Sequence, residues 1–218
     1  PSPGRHPLLF RNWLFLIAGL LTLAGYWGPW MDHRAAGLVI TGLDLGELVK
    51  FLPTVRSGAV TVWREGFYWP LVAVSLGQSL VAFRIPFRYP WLGRAAMLAV
   101  AVVAALNLLP PAWTPARMMT PEFYLQSGGI ALCLAAVAVS PVLALLPHRI
   151  TAATITLLCG LAIWFPVRDF LRVLPDIAAL YNHSGRLGWG LFVMAGGLIL
   201  FVRMGWTGLD GKERKVRG

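Results

Sequence analysis

Six stretches of the chain, 13–30, 67–83, 92–109, 125–146, 150–166 and 187–203, are apolar and carry no charge except Arg94 and Arg203 near their ends. Together they occupy about half of the 218 residues. A lipid core offers the backbone no water, so such a run must close its hydrogen bonds within itself as a helix, and about 20 residues at 1.5 Å rise cross the hydrocarbon. The pattern predicts an all-α, polytopic integral membrane protein, one six-span domain over 1–218. Composition agrees: 57% of residues are hydrophobic and 13% charged, where a soluble domain carries about 25% charged residues. A soluble globule, a disordered tail, a collagen strand and a coiled-coil rod are excluded.

The net charge of +10 would suggest nucleic acid in a soluble protein. Here the basic residues flank apolar runs, where a Lys and Arg excess marks cytoplasmic loops. With the N-terminus inside, the inner segments and span borders hold eleven Lys+Arg against two acids, and the outer loops 31–66, 110–124 and 167–186 hold eight against seven. Both termini are expected to be cytoplasmic and the protein to sit in the plasma membrane, with the bilayer and not nucleic acid as its partner. Eight of the ten tryptophans fall at the expected borders, as Trp does at headgroup depth, and Trp63 and Trp113 fall in the outer loops. Cys133 and Cys159 fall inside apolar runs and read as small core residues. The first run follows a short basic segment but lacks a small-x-small cleavage pattern, so it reads as a retained helix.

The inner connections are short. Helices two and three, and helices four and five, are therefore expected to be antiparallel neighbours, and the outer face is left to carry shape and chemistry. In loop 31–66, Thr41, Asp44, Glu47 and Lys50 recur every three residues opposite Leu38, Leu45, Leu48, Val49 and Leu52, which predicts an amphipathic interfacial helix of about four turns ending at Pro53. Loop 167–186 repeats the device, with Asp169, Arg172 and Asp176 on one side and Phe170, Leu171, Leu174 and Ala178 on the other. Glu65-Gly66-Phe67-Tyr68 before the second span is echoed by Glu122-Phe123-Tyr124 before the fourth, although amphipathic segments converge on such patterns unaided. Within the spans the polar residues Ser75, Gln78, Ser79, Asn107, Gln126, Ser127, Thr151, Thr154 and Thr156 are expected to face other helices. Ala95 with Ala99, Ala101 with Ala105, and Ala131 with Ala135 are spaced for close helix approach. Gly128-Gly129 and Pro141 predict a kink in the fourth span, and the glycines of 185–190 read as a packing segment.

No catalytic, nucleotide or metal motif stands out, so no enzyme activity and no cofactor are expected. All four His lie outside the spans, which rejects a bis-His haem, and no ionisable residue sits mid-membrane as an ion carrier would require. The leading expectation is a non-catalytic membrane subunit of a larger assembly, a transport complex with other membrane subunits and a separate ATPase. The alternative is solute capture: size, span number and long first outer loop are comparable to the substrate-binding components of energy-coupling-factor vitamin transporters. The ligand or partner surface would then involve Trp27, Trp30, Asp44, Glu47, Trp63, Trp69, Asn107, Trp113 and Gln126, aromatic walls with a few polar groups. A third reading is an outer-face lipid-modifying or metal-dependent enzyme using Asp32, His33, Glu65 and His183, in which Asp32-His33 and Asn182-His183 would meet to hold a divalent metal. The spacing matches no metal motif, and Asp169 with Arg168 and Arg172, like Glu65 with Arg64, fits an interfacial ion pair.

Overall fold

The computed structural model describes residues 6–32, 39–84, 89–110, 113–181 and 186–210. Helix α1 (His6–Trp27) is followed by strands β1 (Pro29–Asp32) and β2 (Ile40–Thr41), helix α2 (Gly42–Leu48) with a 3-10 turn over Val49–Phe51, and the short α3 (Pro53–Arg56). A 3-10 turn, Arg64–Tyr68, leads into α4 (Trp69–Val81), and α5 (Trp91–Leu106) and α6 (Pro115–Met118) come next. Another 3-10 turn, Pro121–Phe123, leads into α7 (Tyr124–Ala138), followed by α8 (Ser140–Leu143), α9 (His148–Leu180), β3 (Arg186–Leu187) and α10 (Trp189–Asp210). The chain is mostly helical, and each apolar run coincides with a helix except 125–146, which is divided between α7 and α8. Among the described residues α9 and α10 alone are both long and apolar enough to cross a membrane; Trp13–Trp27 and Trp91–Leu106 are shorter apolar helices.

Helix α4 is the centre. Ten of its thirteen residues are buried, and it packs against α1, α5, α7 and α9. Such burial suits a helix with no charge and with small residues, Ala73, Ser75, Gly77 and Ser79, on its flanks. Gln78 donates to the Phe15 carbonyl of α1 at 2.9 Å, Gly77 lies against the Phe201 ring of α10, and Gly66, just before α4, lies against Phe165 of α9. At the other end of α4, Arg84 donates to the Leu146 carbonyl and the Thr151 hydroxyl, anchoring the start of α9.

Helices α1 and α10 form the most extensive helix pair. A Cβ on Gly25 would lie 2.1 Å from the Met194 backbone nitrogen, and one on Gly197 would lie 2.7 Å from that of Thr22. The contacts 25 with 194, 22 with 197 and 15 with 201 run in opposite directions, so the pair is antiparallel. At the end of this pair where α1 ends and α10 begins, β1 pairs antiparallel with both β2 and β3. The glycines of 188–190 do act in packing, Gly188 and Gly190 lying against Pro29 and Gly28. Of the small-residue pairs, Ala101 and Ala105 are buried, while Ala95, Ala99, Ala131 and Ala135 are exposed.

Three expectations change. Residues 167–180 form no separate surface helix; they continue α9 unbroken through Pro166 and Pro175, since a proline costs a helix one N–H donor without necessarily ending it. Loop 31–66 keeps the amphipathic helix but splits it: α2 runs seven residues, and Leu52 turns extended before Pro53, as a residue preceding proline prefers. Helices α5 and α4 pack as expected, but α7 and α9 form no substantial pair among the described residues, and each leans on α4 instead. The interruption of the fourth span falls at Val139, between α7 and α8, where Pro141 withholds a donor.

The glycine contacts predict opposite signs for two substitutions. Gly25→Ala forces α1 and α10 apart and should lower stability by about 2 to 3 kcal/mol, the usual cost of overpacking. Gly160→Ala, at a helical position open to space, should be neutral or stabilising by up to about 1 kcal/mol. Thermal unfolding of the two variants in detergent checks both.

Candidate functional site

Where the first outer loop meets the start of α7, a network of charges is built on Arg64. Thr41 caps α2, its hydroxyl accepting from the Asp44 N–H while the Asp44 carboxylate accepts from the Thr41 N–H at 3.0 Å, a reciprocal capping box. Two glycines let α2 approach closely: a Cβ on Gly42 would meet Trp30 at 2.9 Å, and one on Gly46 would meet the Tyr68 ring at 2.8 Å. Glu47 is thereby held over the 3-10 turn 64–68. Its Oε1 accepts from Arg64 at 3.0 Å and from the Tyr68 hydroxyl at 3.0 Å, and its Oε2 pairs with Lys50 at 2.6 Å.

Arg64 is the hub. Besides Glu47 it donates to Gln126 Oε1 at 3.1 Å, to Glu122 at 3.4 Å and to the Gly46 carbonyl at 3.2 Å, and its guanidinium lies 5.3 Å from the Phe123 ring centre. The Gln126 amide in turn donates to the Leu108 carbonyl at the end of α5. Three elements are tied by one side chain, and the echoed 65–68 and 122–124 segments meet across it. Burial pulls the Glu47 carboxyl upward, but the Lys50 hydrogen bond, the Arg64 charge and the Tyr68 hydroxyl outweigh it and hold the carboxyl below its ordinary value. Burial likewise works against the Arg64 charge, and Glu47 reverses it, leaving Arg64 above its ordinary value.

Two crevices flank Tyr68. The first, about 180 Å³, is a nearly apolar slot between α4, the end of α5 and α7, walled by Trp63, Tyr68, Trp69 and Leu132, floored by Gly129 and edged by Glu65 and Gln126. Trp63, Trp69 and Phe165 form one aromatic cluster, with Trp63 and Phe165 edge to face at 4.6 Å. The second, about 580 Å³, is a groove between α2 and the end of α5, lined by Leu43, Asp44, Glu47, Leu48, Phe51, Tyr68, Leu106, Asn107 and Leu109.

The structure therefore brings six of the nine expected surface residues to these two crevices: Trp63, Trp69 and Gln126 to the slot, and Asp44, Glu47 and Asn107 to the groove. The other three go elsewhere. Trp30 is fully buried, donating to the Gly25 carbonyl at 3.2 Å. Trp27 lines an apolar hollow between α1 and α5, and Trp113 is exposed. Gln78 is enclosed against α1, apart from Asn107 and Gln126.

Asp169 pairs with Arg168 at 2.8 Å and lies 3.7 Å from Arg172, but it is fully buried, accepting the Trp63 N–H at 3.0 Å. With Thr54 donating to Asp176 at 2.6 Å, it fastens the end of the first outer loop to α9. Arg64 pairs with Glu47 and Glu122 rather than with Glu65. Pairing of Asp32 with Arg186 in the sheet brings together the strands that border the metal hypothesis, but His33, Asn182 and His183 lie outside the described residues. Among those described, no group of three or more His, Cys, Asp or Glu could hold a metal. Sequence reasoning passed over Arg64 and Tyr68 as site residues; the spacing Gly42-x-x-x-Gly46, which lets α2 close on Tyr68, was the available signal.

Comparison with protein-family models, curated proteins and solved structures gave no match.

The Glu47 carboxyl is held below its ordinary value of 4.5, so the stability it contributes is complete above that pH and is lost as pH falls through the lower folded value. Below about pH 4.5 the thermal midpoint should drop, and Glu47→Gln should flatten that acid limb. At neutral pH the same variant should cost roughly 1 to 2 kcal/mol, as loss of a charged hydrogen-bond acceptor does.

Proposed function

We propose that this chain is a six-span plasma-membrane protein with cytoplasmic termini that captures a small ligand at its outer end without transforming it. The observation that carries this reading is the pair of crevices meeting at Tyr68: aromatic and apolar walls, a few fixed polar groups, and volumes of about 180 and 580 Å³, the make-up of small-molecule sites. Membrane embedding is supported by large apolar side chains exposed on α1, α5, α7, α9 and α10, the helices that surround α4, among them Leu21, Trp91, Leu132, Leu157 and Ile199, more than a soluble monomer tolerates. It is also supported by the inner excess of Lys and Arg. The shorter helices fit this topology once their run-ins are counted. Thirteen residues of α4 rise about 20 Å, and the five-residue 3-10 turn above it adds about 10 Å, together a hydrocarbon thickness. At 33 residues, α9 rises about 50 Å, which leaves its last turns above the membrane, where Asp169 and Asp176 hold the outer loop.

A second reading, a subunit of a larger transport assembly with a separate ATPase, is favoured by α7. Only three of its fifteen residues are buried, and Gly128, Ala131, Ala135 and Ala138 lie exposed along one face, the composition of helix interfaces in membranes.

Topology is tested with an impermeant thiol reagent on intact cells. Gly58→Cys, in the exposed turn after α3 where glycine takes φ 78°, should label from outside, and Arg149→Cys, at an exposed position of the inner connection, only after permeabilisation; the reverse pattern overturns the orientation. Capture is tested by gentle extraction and mass spectrometry of what stays bound. A stoichiometric small molecule is expected on the parent chain and its loss from Gly129→Leu, where a new Cβ meets only the Leu108 side chain at 3.8 Å and the added carbons fill the slot. A chain that arrives with no small molecule but with a stoichiometric protein partner favours the subunit reading.

A further inference from the structure

We propose that the groove between α2 and α5 binds an amphiphile with an ammonium head and a hydrocarbon body. This rests on the reading of the outer end as a capture site and names the ligand's chemistry.

The polar inventory of the groove is one-sided. Asp44 and Glu47 when ionised only accept hydrogen bonds. The Tyr68 hydroxyl spends its proton on Glu47. Asn107 donates one amide N–H to the Val103 carbonyl of its own helix at 2.8 Å and keeps its carbonyl oxygen and a second N–H to offer. Among its lining residues the groove therefore sets two carboxylates and an amide oxygen against one spare amide N–H, which favours an ammonium-bearing head over a purely anionic one. Charge agrees: Asp44 and Glu47 line the groove, and Glu122 lies beside Lys50 and Arg64, three of the nine acidic residues of a chain with net charge +10 against those two cations.

The fold holds a working example of the same recognition. The Lys50 ammonium rests 2.6 Å from Glu47 and 5.3 Å from the Phe51 ring centre, so two groove-lining residues already seat an alkylammonium by a carboxylate and an aromatic face, the combination that favours cations. The rest of the groove is hydrocarbon. Phe51 and Leu106 are 66% and 46% exposed, leaving its flank open on the apolar side of the bundle, where an alkyl chain would lie.

The test uses the full chain in a neutral maltoside micelle, with decylammonium, decyl sulfate and decanol as probes below their own micellar concentrations, read by thermal midpoint and calorimetric titration against the empty micelle. Decylammonium should bind at least tenfold more tightly than either of the other two. Asn107→Leu, which gives up only a bond within its own helix, and Asp44→Asn should each weaken it about fivefold. Lys50→Met, which removes the resident ammonium, should tighten it. Two nanodisc arms identify the source: loss of decylammonium binding in phosphatidylethanolamine discs but not in phosphatidylglycerol discs makes the occupant an outer-leaflet lipid, and equal binding in both makes it a free amine. Decanol or decyl sulfate binding within twofold of decylammonium overturns the ammonium assignment and leaves outer-end capture standing. No binding by any of the three, together with an empty parent chain in the mass-spectrometry experiment, overturns both.

Discussion

Burial of α4 on nearly all sides is the constraint from which the rest of the molecule follows. A helix can be enclosed this way only if its backbone bonds are closed internally and its flanks are small enough for neighbours to approach, and Ala73, Ser75, Gly77 and Ser79 meet the second condition. Such a bundle is held by close packing and by buried hydrogen bonds. Gln78 to the Phe15 carbonyl and Gln126 to the Leu108 carbonyl at 3.1 Å are examples. The arginine at the end of α4 closes the far side against the α8–α9 turn.

Because α4 is fixed, its run-in is fixed too, and the outer end inherits its precision. The 3-10 turn 64–68 places Arg64 between an acid on α2 and an amide on α7. Partly buried charges carry a desolvation cost that only good geometry offsets, and here the geometry is shared: one guanidinium serves Glu47, Gln126, Glu122 and the Gly46 carbonyl. The same side chains that close this network form the partition between slot and groove. Tyr68 does both, its hydroxyl bonded to Glu47 and its ring facing two cavities. The two crevices are thus a by-product of how loop, α5 and α7 are tied together.

Expectation and structure diverge where local pattern and long-range contact compete. Asp169, Arg172 and Asp176 were spaced like the wet face of a surface helix, yet Asp169 is fully buried because the Trp63 N–H and two arginines pair with it. Trp30 looked like a border tryptophan, but the glycine at 42 lets α2 cover it. The aromatic and polar residues that do line the crevices were legible as a set, since aromatic side chains with a few polar groups at one end of a bundle have few other uses. Which six of nine would converge was not, because Trp27, Trp30 and Trp113 are alike by composition and differ only in which neighbour reaches them.

What the amino-acid order determined alone was the set of helices: uninterrupted apolar runs have to close their own hydrogen bonds, and that requirement is local. It also determined the capping of α2, the stop before Pro53 and the break near Pro141, each a matter of residues within one turn of each other. Which helices touch, that α4 and not α9 is the neighbour of α7, and that Arg64 gathers Glu47, Glu122 and Gln126 from three parts of the chain were decided only in three dimensions. Apolar helix faces resemble one another, so partner choice rests on small differences of shape, a glycine here and a ring there, that no single segment carries.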